Sequence, residues 1–111
     1  MTAIDEQEKA RIDLHGAFIR RTSLRRASLV RANFSRADCA WADFSESDMT
    51  EANLEDADFS NAILRGADLK NANLAGTVLR GADLTGVSNL THNQLSKAVI
   101  DEATKLPELV D

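Results

Sequence analysis

Ten side chains with carboxylate or amide groups recur at multiples of five residues: Asp13, Asn33, Asp38, Asp43, Asp48, Asn53, Asp58, Asp68, Asn73 and Asp83. Paired carboxylates are the usual equipment of general acid–base catalysis. Here they return once per period, which ties them to the geometry of a repeat rather than to one reaction centre. The lone cysteine, Cys39, is a formal candidate nucleophile, but it falls on the phase of the large apolar residues and reads as a small buried hydrophobe. His15 and His92 lie far apart in the chain, and with one cysteine they leave a transition-metal site short of ligands. Gly66, Gly76, Gly81 and Gly86 keep the same period and suit chain corners, not a phosphate loop. The sequence therefore predicts no catalytic residue, no metal, no cofactor and no enzyme.

The element that positions these residues is a five-residue unit. From Ile12 the chain reads IDLHG, AFIRR, TSLRR and so on through fifteen consecutive units to ADLTG at Gly86, without an insertion. The third position is always apolar, and the first is Ala in eleven units. On an α-helix five residues advance the azimuth by about 140°, which scatters the third positions around the axis. On a continuous strand an odd period alternates faces. A chain that turns a corner every five residues buries all of them, with the first and third side chains inward and the other three outward.

Units such as ADLKN, ANLED and ADFSN resemble the A(D/N)LXX motif of the pentapeptide-repeat family, over residues 12–86. The resemblance implies an all-β solenoid: a right-handed, four-sided parallel β-helix of nearly four coils, with four units per coil. Residue n then stacks on residue n+20. The inward columns become Leu14–Phe34–Leu54–Leu74, Ile19–Cys39–Phe59–Leu79, Leu24–Phe44–Leu64–Leu84 and Leu29–Met49–Leu69. Leu24, Phe34, Phe44, Leu54, Phe59, Leu64, Leu69 and Leu74 are expected to be buried.

A solenoid needs caps over its raw ends. Residues 1–11 are expected to form an N-terminal cap segment placing Ile4 over the first coil, and residues 12–89 the β-helix. Residues 90–111 supply a C-terminal capping helix and tail. Thr91 with Gln94 reads as a capping box, which predicts a helix over roughly 92–100.

Charges are segregated. Residues 11–36 hold seven Arg and one Asp, whereas residues 37–64 hold eight acids and no Lys or Arg. The n+20 rule puts Arg26 on Glu46, Arg31 on Glu51, Arg36 on Asp56 and Arg21 on Trp41, a ladder of ion pairs and one cation–π contact between coils. The other reading makes Asp43, Glu46, Asp48, Glu51 and Glu55 a functional acidic belt. Proteins similar to this one include bacterial factors that bind DNA gyrase and protect it from quinolones by imitating DNA.

Four outward positions are apolar: Phe18, Trp41 and Val78 on one face and Ile63 on the next. They mark either an interaction surface or places that terminal segments cover. The net charge of −5 argues against direct nucleic-acid binding, and no stretch is long and apolar enough to span a bilayer. One cysteine and the lack of a signal-peptide pattern point to a cytoplasmic, reducing setting. The expected function is an interaction or scaffold module with an unidentified protein partner. The alternative is a DNA-mimicking modulator of gyrase. The resemblance further implies a homodimer contact through the C-terminal helix, because family members with longer rods pair through C-terminal elements.

Overall fold

The computed structural model describes residues 11–111, and every structural statement below concerns those residues. The N-terminal cap expected of residues 1–11 lies outside them, save for Arg11.

The chain winds as a right-handed quadrilateral β-helix. Each five-residue unit forms one side, and each coil has four. The first face carries the units starting at residues 12, 32, 52 and 72; the second, third and fourth faces follow at five-residue steps. Parallel bridges join the second position of each unit to the second position twenty residues on: Asp13 to Asn33, Phe18 to Asp38, Ser23 to Asp43 and Ser28 to Asp48, and likewise down the stack.

Three backbone hydrogen bonds per side hold neighbouring coils together. The third-position N–H donates to a second-position carbonyl in the next coil, as from Leu14 to Asn33 at 2.7 Å. The fifth-position N–H donates to a fourth-position carbonyl, as from Gly16 to Ser35 at 2.9 Å. In return the second-position N–H of the next coil reaches back to a first-position carbonyl, as from Asn33 to Ile12 at 2.8 Å.

Each corner is a four-residue turn closed by one more bond, such as Ala17 N–H to Leu14 C=O at 3.0 Å. Its third residue has φ near +60°, the type II signature. That residue is the fifth of every unit, and ten of these corners carry a side chain, from Arg21 to Asn71. Glycine occupies the other five, Gly16, Gly66, Gly76, Gly81 and Gly86.

The core is narrow and almost entirely apolar. Phe34, Phe44, Leu54, Phe59, Leu64, Leu69 and Leu74 are buried as expected, between layers of first-position alanines. Phe34, Phe44 and Phe59 form one cluster, with ring centroids 5.0–6.2 Å apart. Leu24 departs from expectation. It packs against the core but is only half-buried, as are Leu14 and Ile19, because no described coil lies above the first.

After Gly86 the register slips at Asn89, and Leu90 turns inward and is fully buried. Helix α1 (His92–Ser96) then takes the place of a fifth unit on the first face. The capping box forms: Gln94 N–H donates to Thr91 Oγ1 and Thr91 N–H to Gln94 Oε1. The same Gln94 amide donates to the carbonyl of Ala72, which has no strand beneath it on the first face, and to that of Leu69, which also closes its corner with the Ala72 N–H.

The helix is shorter than the 92–100 expected. By Lys97 the chain returns to the stack, where its carbonyl accepts from Gly76 N–H and Val99 pairs with Val78. Lys105 pairs with Asp83 on the third face. Residues 98–108 thus lay two sides of a fifth coil against the fourth.

Candidate interaction surface

The ten second-position Asp and Asn residues share one task. Each side-chain oxygen accepts the backbone N–H two residues on: Asp13 from His15, Asn33 from Ser35, Asp38 from Ala40, Asp43 from Ser45 and Asp48 from Thr50. Asn53, Asp58, Asp68, Asn73 and Asp83 do the same for Glu55, Ser60, Lys70, Ala75 and Thr85. The fourth-position N–H is the one amide of each unit that neither the coil contacts nor the turn satisfies. An Asx oxygen two residues back reaches it. The recurring acids therefore complete the backbone and do not converge on a reaction centre. Among the described residues no group of three His, Cys, Asp or Glu side chains is placed to hold a metal ion. Cys39 is buried in the second column, and burial, reinforced by Asp38 and Asp58, pushes its thiol up to about 12.

The charge ladder forms in part. Arg26 Nε lies 3.5 Å from Glu46 Oε2, Arg31 Nε lies 3.1 Å from Glu51 Oε2, and the Arg21 guanidinium sits 5.2 Å from the Trp41 ring centre. Arg36 and Asp56 do not pair. The short Asp56 carboxylate turns instead toward Gly76 in the next coil, into the space a Cβ there would fill. Three further pairs follow an n+18 spacing that the n+20 rule misses: Arg20–Asp38 at 3.6 Å, Arg25–Asp43 at 3.6 Å and Arg65–Asp83 at 3.0 Å.

The candidate belt is correspondingly engaged. Asp43, Glu46 and Glu51 face arginines, Asp48 holds the Thr50 amide and hydroxyl, and only Glu55 projects without a side-chain partner among the described residues. Burial works to raise the Asp43 carboxyl, but bonds from the Ser45 hydroxyl and amide and the Arg25 guanidinium outweigh it, leaving it below the usual range. At Asp83 the same opposition, with Thr85 and Arg65 as the stabilising partners, holds the carboxyl at about 2.

The apolar candidates separate. Phe18 is 88% exposed and Trp41 47%, both on the second face, and Ile63 is 38% exposed on the third. Val78 is half-buried, because the C-terminal segment pairs with it through Val99. The exposed part of the predicted surface is thus Phe18 and Trp41, bordered by Arg20 and Arg21. The sequence reading missed Ile100, Leu106 and Val110, which are 40–49% exposed at the C-terminal end. Their signal lay in a tail whose register the repeat no longer set. No helix among the described residues is long and apolar enough to cross a membrane.

A four-sided β-helix with a period-five apolar column and an Asx bond in ten of its units defines a class of solenoid. The pentapeptide-repeat family profile matches residues 12–51, 37–76, 52–88 and 62–104 in eight copies, and the chain belongs to that family. Among solved structures it is similar to the pentapeptide-repeat protein Rfr23 of the cyanobacterium Cyanothece 51142, at 32% identity and a TM-score of 0.77. The match covers 85% of this chain and 63% of Rfr23, so the chain spans less than two thirds of that relative. It is also similar to alr5209 of Nostoc Pcc 7120, a pentapeptide-repeat protein, at 26% identity and a TM-score of 0.60 over 94% of this chain and 81% of that one. QnrB1, a plasmid-mediated fluoroquinolone resistance protein, aligns at 16% identity and a TM-score of 0.42, too low to carry an argument. A search of the curated proteins found no match.

Proposed function

We propose that the protein is a non-enzymatic interaction or scaffold module of its family, working in a bacterial cytoplasm. It presents the second face around Phe18 and Trp41 to a protein partner. The observation that carries this reading is Phe18. It is almost fully exposed at a position that holds Asp or Asn in ten of fifteen units, and it lies on the same face as the exposed Trp41. An apolar ring there gives up the Asx bond to the Arg20 amide and gains no packing within the described chain. Contact with another molecule would supply the compensation. The acidic belt supports this reading over DNA mimicry, because Asp43, Glu46 and Glu51 are already neutralised by arginines.

Affinity capture from the source organism tests the proposal, with the wild type run beside Phe18→Asp and Trp41→Ser. A partner captured by the wild type and lost with both variants supports it. Retention of the same partners by both variants refutes the assigned surface. A gyrase supercoiling assay with and without quinolone separates the two functional readings: no effect is expected, and protection would put the DNA-mimic reading first.

A further inference from the structure

The two ends of the solenoid are complementary to each other. Val99 and Lys105 pair with the fourth coil as second-position residues do, so Ile100 and Leu106 occupy third positions, the inward ones. They extend the columns Ile19–Cys39–Phe59–Leu79 and Leu24–Phe44–Leu64–Leu84. Every earlier third-position residue from the second coil onward is buried, yet Ile100 is 40% and Leu106 46% exposed, because no coil lies beneath them. Helix α1 covers the first face and leaves these two uncovered. The first members of the same columns, Ile19 and Leu24, are only half-buried at the opposite end.

The backbone edges match as well. Within the stack a third-position N–H and a first-position C=O point to the coil below, and a second-position N–H and C=O receive them. Among the described residues Ile100 N–H, Ala98 C=O, Leu106 N–H and Thr104 C=O make no backbone bond, and neither do the N–H and C=O groups of Phe18 and Ser23. A β-helix whose edges carry such groups offers a template for another strand.

We propose that a second copy of this chain docks head to tail, its first coil seated beneath the fifth coil of the copy above. The docking is parallel and heterologous, so it does not close on itself and builds an open-ended rod. In that register Ile100 lies over the second copy's Ile19 and Leu106 over its Leu24. Phe18 of the second copy comes under Val99 on the second face. The exposed Glu102 and Glu108, each two residues after Ile100 and Leu106, come near Arg21 and Arg26 of the second copy. This continues between molecules the ladder that Arg26–Glu46 and Arg31–Glu51 form within one. The inference does not rest on the function proposed above, and its readout needs no partner protein.

Sedimentation velocity of the purified full chain, from micromolar to millimolar concentration in low salt, tests it. The weight-average mass should climb past that of a dimer without a plateau, and added salt should lower it. Glu102→Arg with Glu108→Arg should shift the onset of association to roughly tenfold higher concentration. Adding Arg21→Glu and Arg26→Glu to the same chain should restore it. Arg26 also supports the fold, so Leu106→Asp provides an independent check: it should abolish association while the circular dichroism spectrum stays unchanged. A monomer throughout the range, a plateau at the dimer, or association indifferent to the glutamate reversals would each overturn the proposal.

Discussion

Phe44→Ala removes the ring that links the aromatic cluster. Phe44 is fully buried, 5.7 Å from Phe34 and 5.0 Å from Phe59 between centroids, with only first-position alanines and single column neighbours to close the gap. Those neighbours are held by hydrogen bonds on every side and cannot collapse inward. The loss should therefore sit in the upper part of the range for a buried aromatic, about 4–5 kcal/mol. For a chain of this size that lowers the melting temperature by roughly 15–20 °C. It also removes a large share of a typical net stability of about 5–15 kcal/mol. Thermal and urea unfolding followed by far-UV circular dichroism would measure it. Leu24→Ala is the internal control: in a half-buried first-coil site it should cost about half as much or less. A Phe44→Ala loss near 1 kcal/mol, or a Leu24→Ala loss equal to it, would refute the gradient of burial along the stack.

Reversing Arg25, Arg26 and Arg31 to Glu should lower the melting temperature at low salt and less so at high salt, with each exposed pair worth about 0–1 kcal/mol. Unchanged melting at low salt would mean the ladder is not a stabiliser. Ile63→Asn supplies the Asx oxygen that the Arg65 amide lacks and should raise stability by about 0.5–1.5 kcal/mol, so a fall in urea midpoint would count against the Asx account. Asp83 and Asp43 are both held below the unfolded carboxylate value. Their contribution is therefore complete above that value and disappears as the pH falls through the folded one, about 2 for Asp83. Melting temperature followed from pH 5 downward should decline, and the decline should be shallower in Asp83→Asn. An equal slope in the variant would show that Asp83 does not carry it.

The winding and the core columns were legible because one apolar residue every five has a single geometric solution. Leu24 was misjudged because periodicity reports which way a side chain points, not whether a coil lies above it. The charge pairs show a subtler limit. Arg25 stacks over Ser45, as the n+20 rule requires. The carboxylate beneath it belongs to Asp43, bent toward Ser45 by the Asx bond to that residue's amide. Arg20 over Ala40 and Arg65 over Thr85 repeat the arrangement with Asp38 and Asp83. The n+18 pairs are thus n+20 stacks displaced by a local hydrogen bond, readable only once the purpose of the second position is known. The candidate surface was legible where it breaks the repeat, at Phe18 and Trp41. It was illegible at Ile100 and Leu106, which follow insertions that reset the phase.

The corners explain why so permissive a sequence still specifies one winding. A side chain in the left-handed region costs about 1–2 kcal/mol, yet arginine, glutamate and even Trp41 occupy it here. The corner residue's own N–H bonds to the next coil, and the turn closes on the residue after it, so its conformation is fixed from two directions. An isolated unit would have neither constraint from its neighbours. The strain is therefore tolerated only in the stack, which makes each coil dependent on the next and ties local conformation to assembly. Glycine under Asp56 and Asn61 shows the same coupling. At Gly76 and Gly81 a Cβ would collide with the carboxylate or amide of the coil above, so the residue at one corner depends on the side chain twenty residues before it. An end that lacks a neighbour loses that mutual constraint, and it is at the ends that Leu24, Ile100 and Leu106 depart from the burial of the interior.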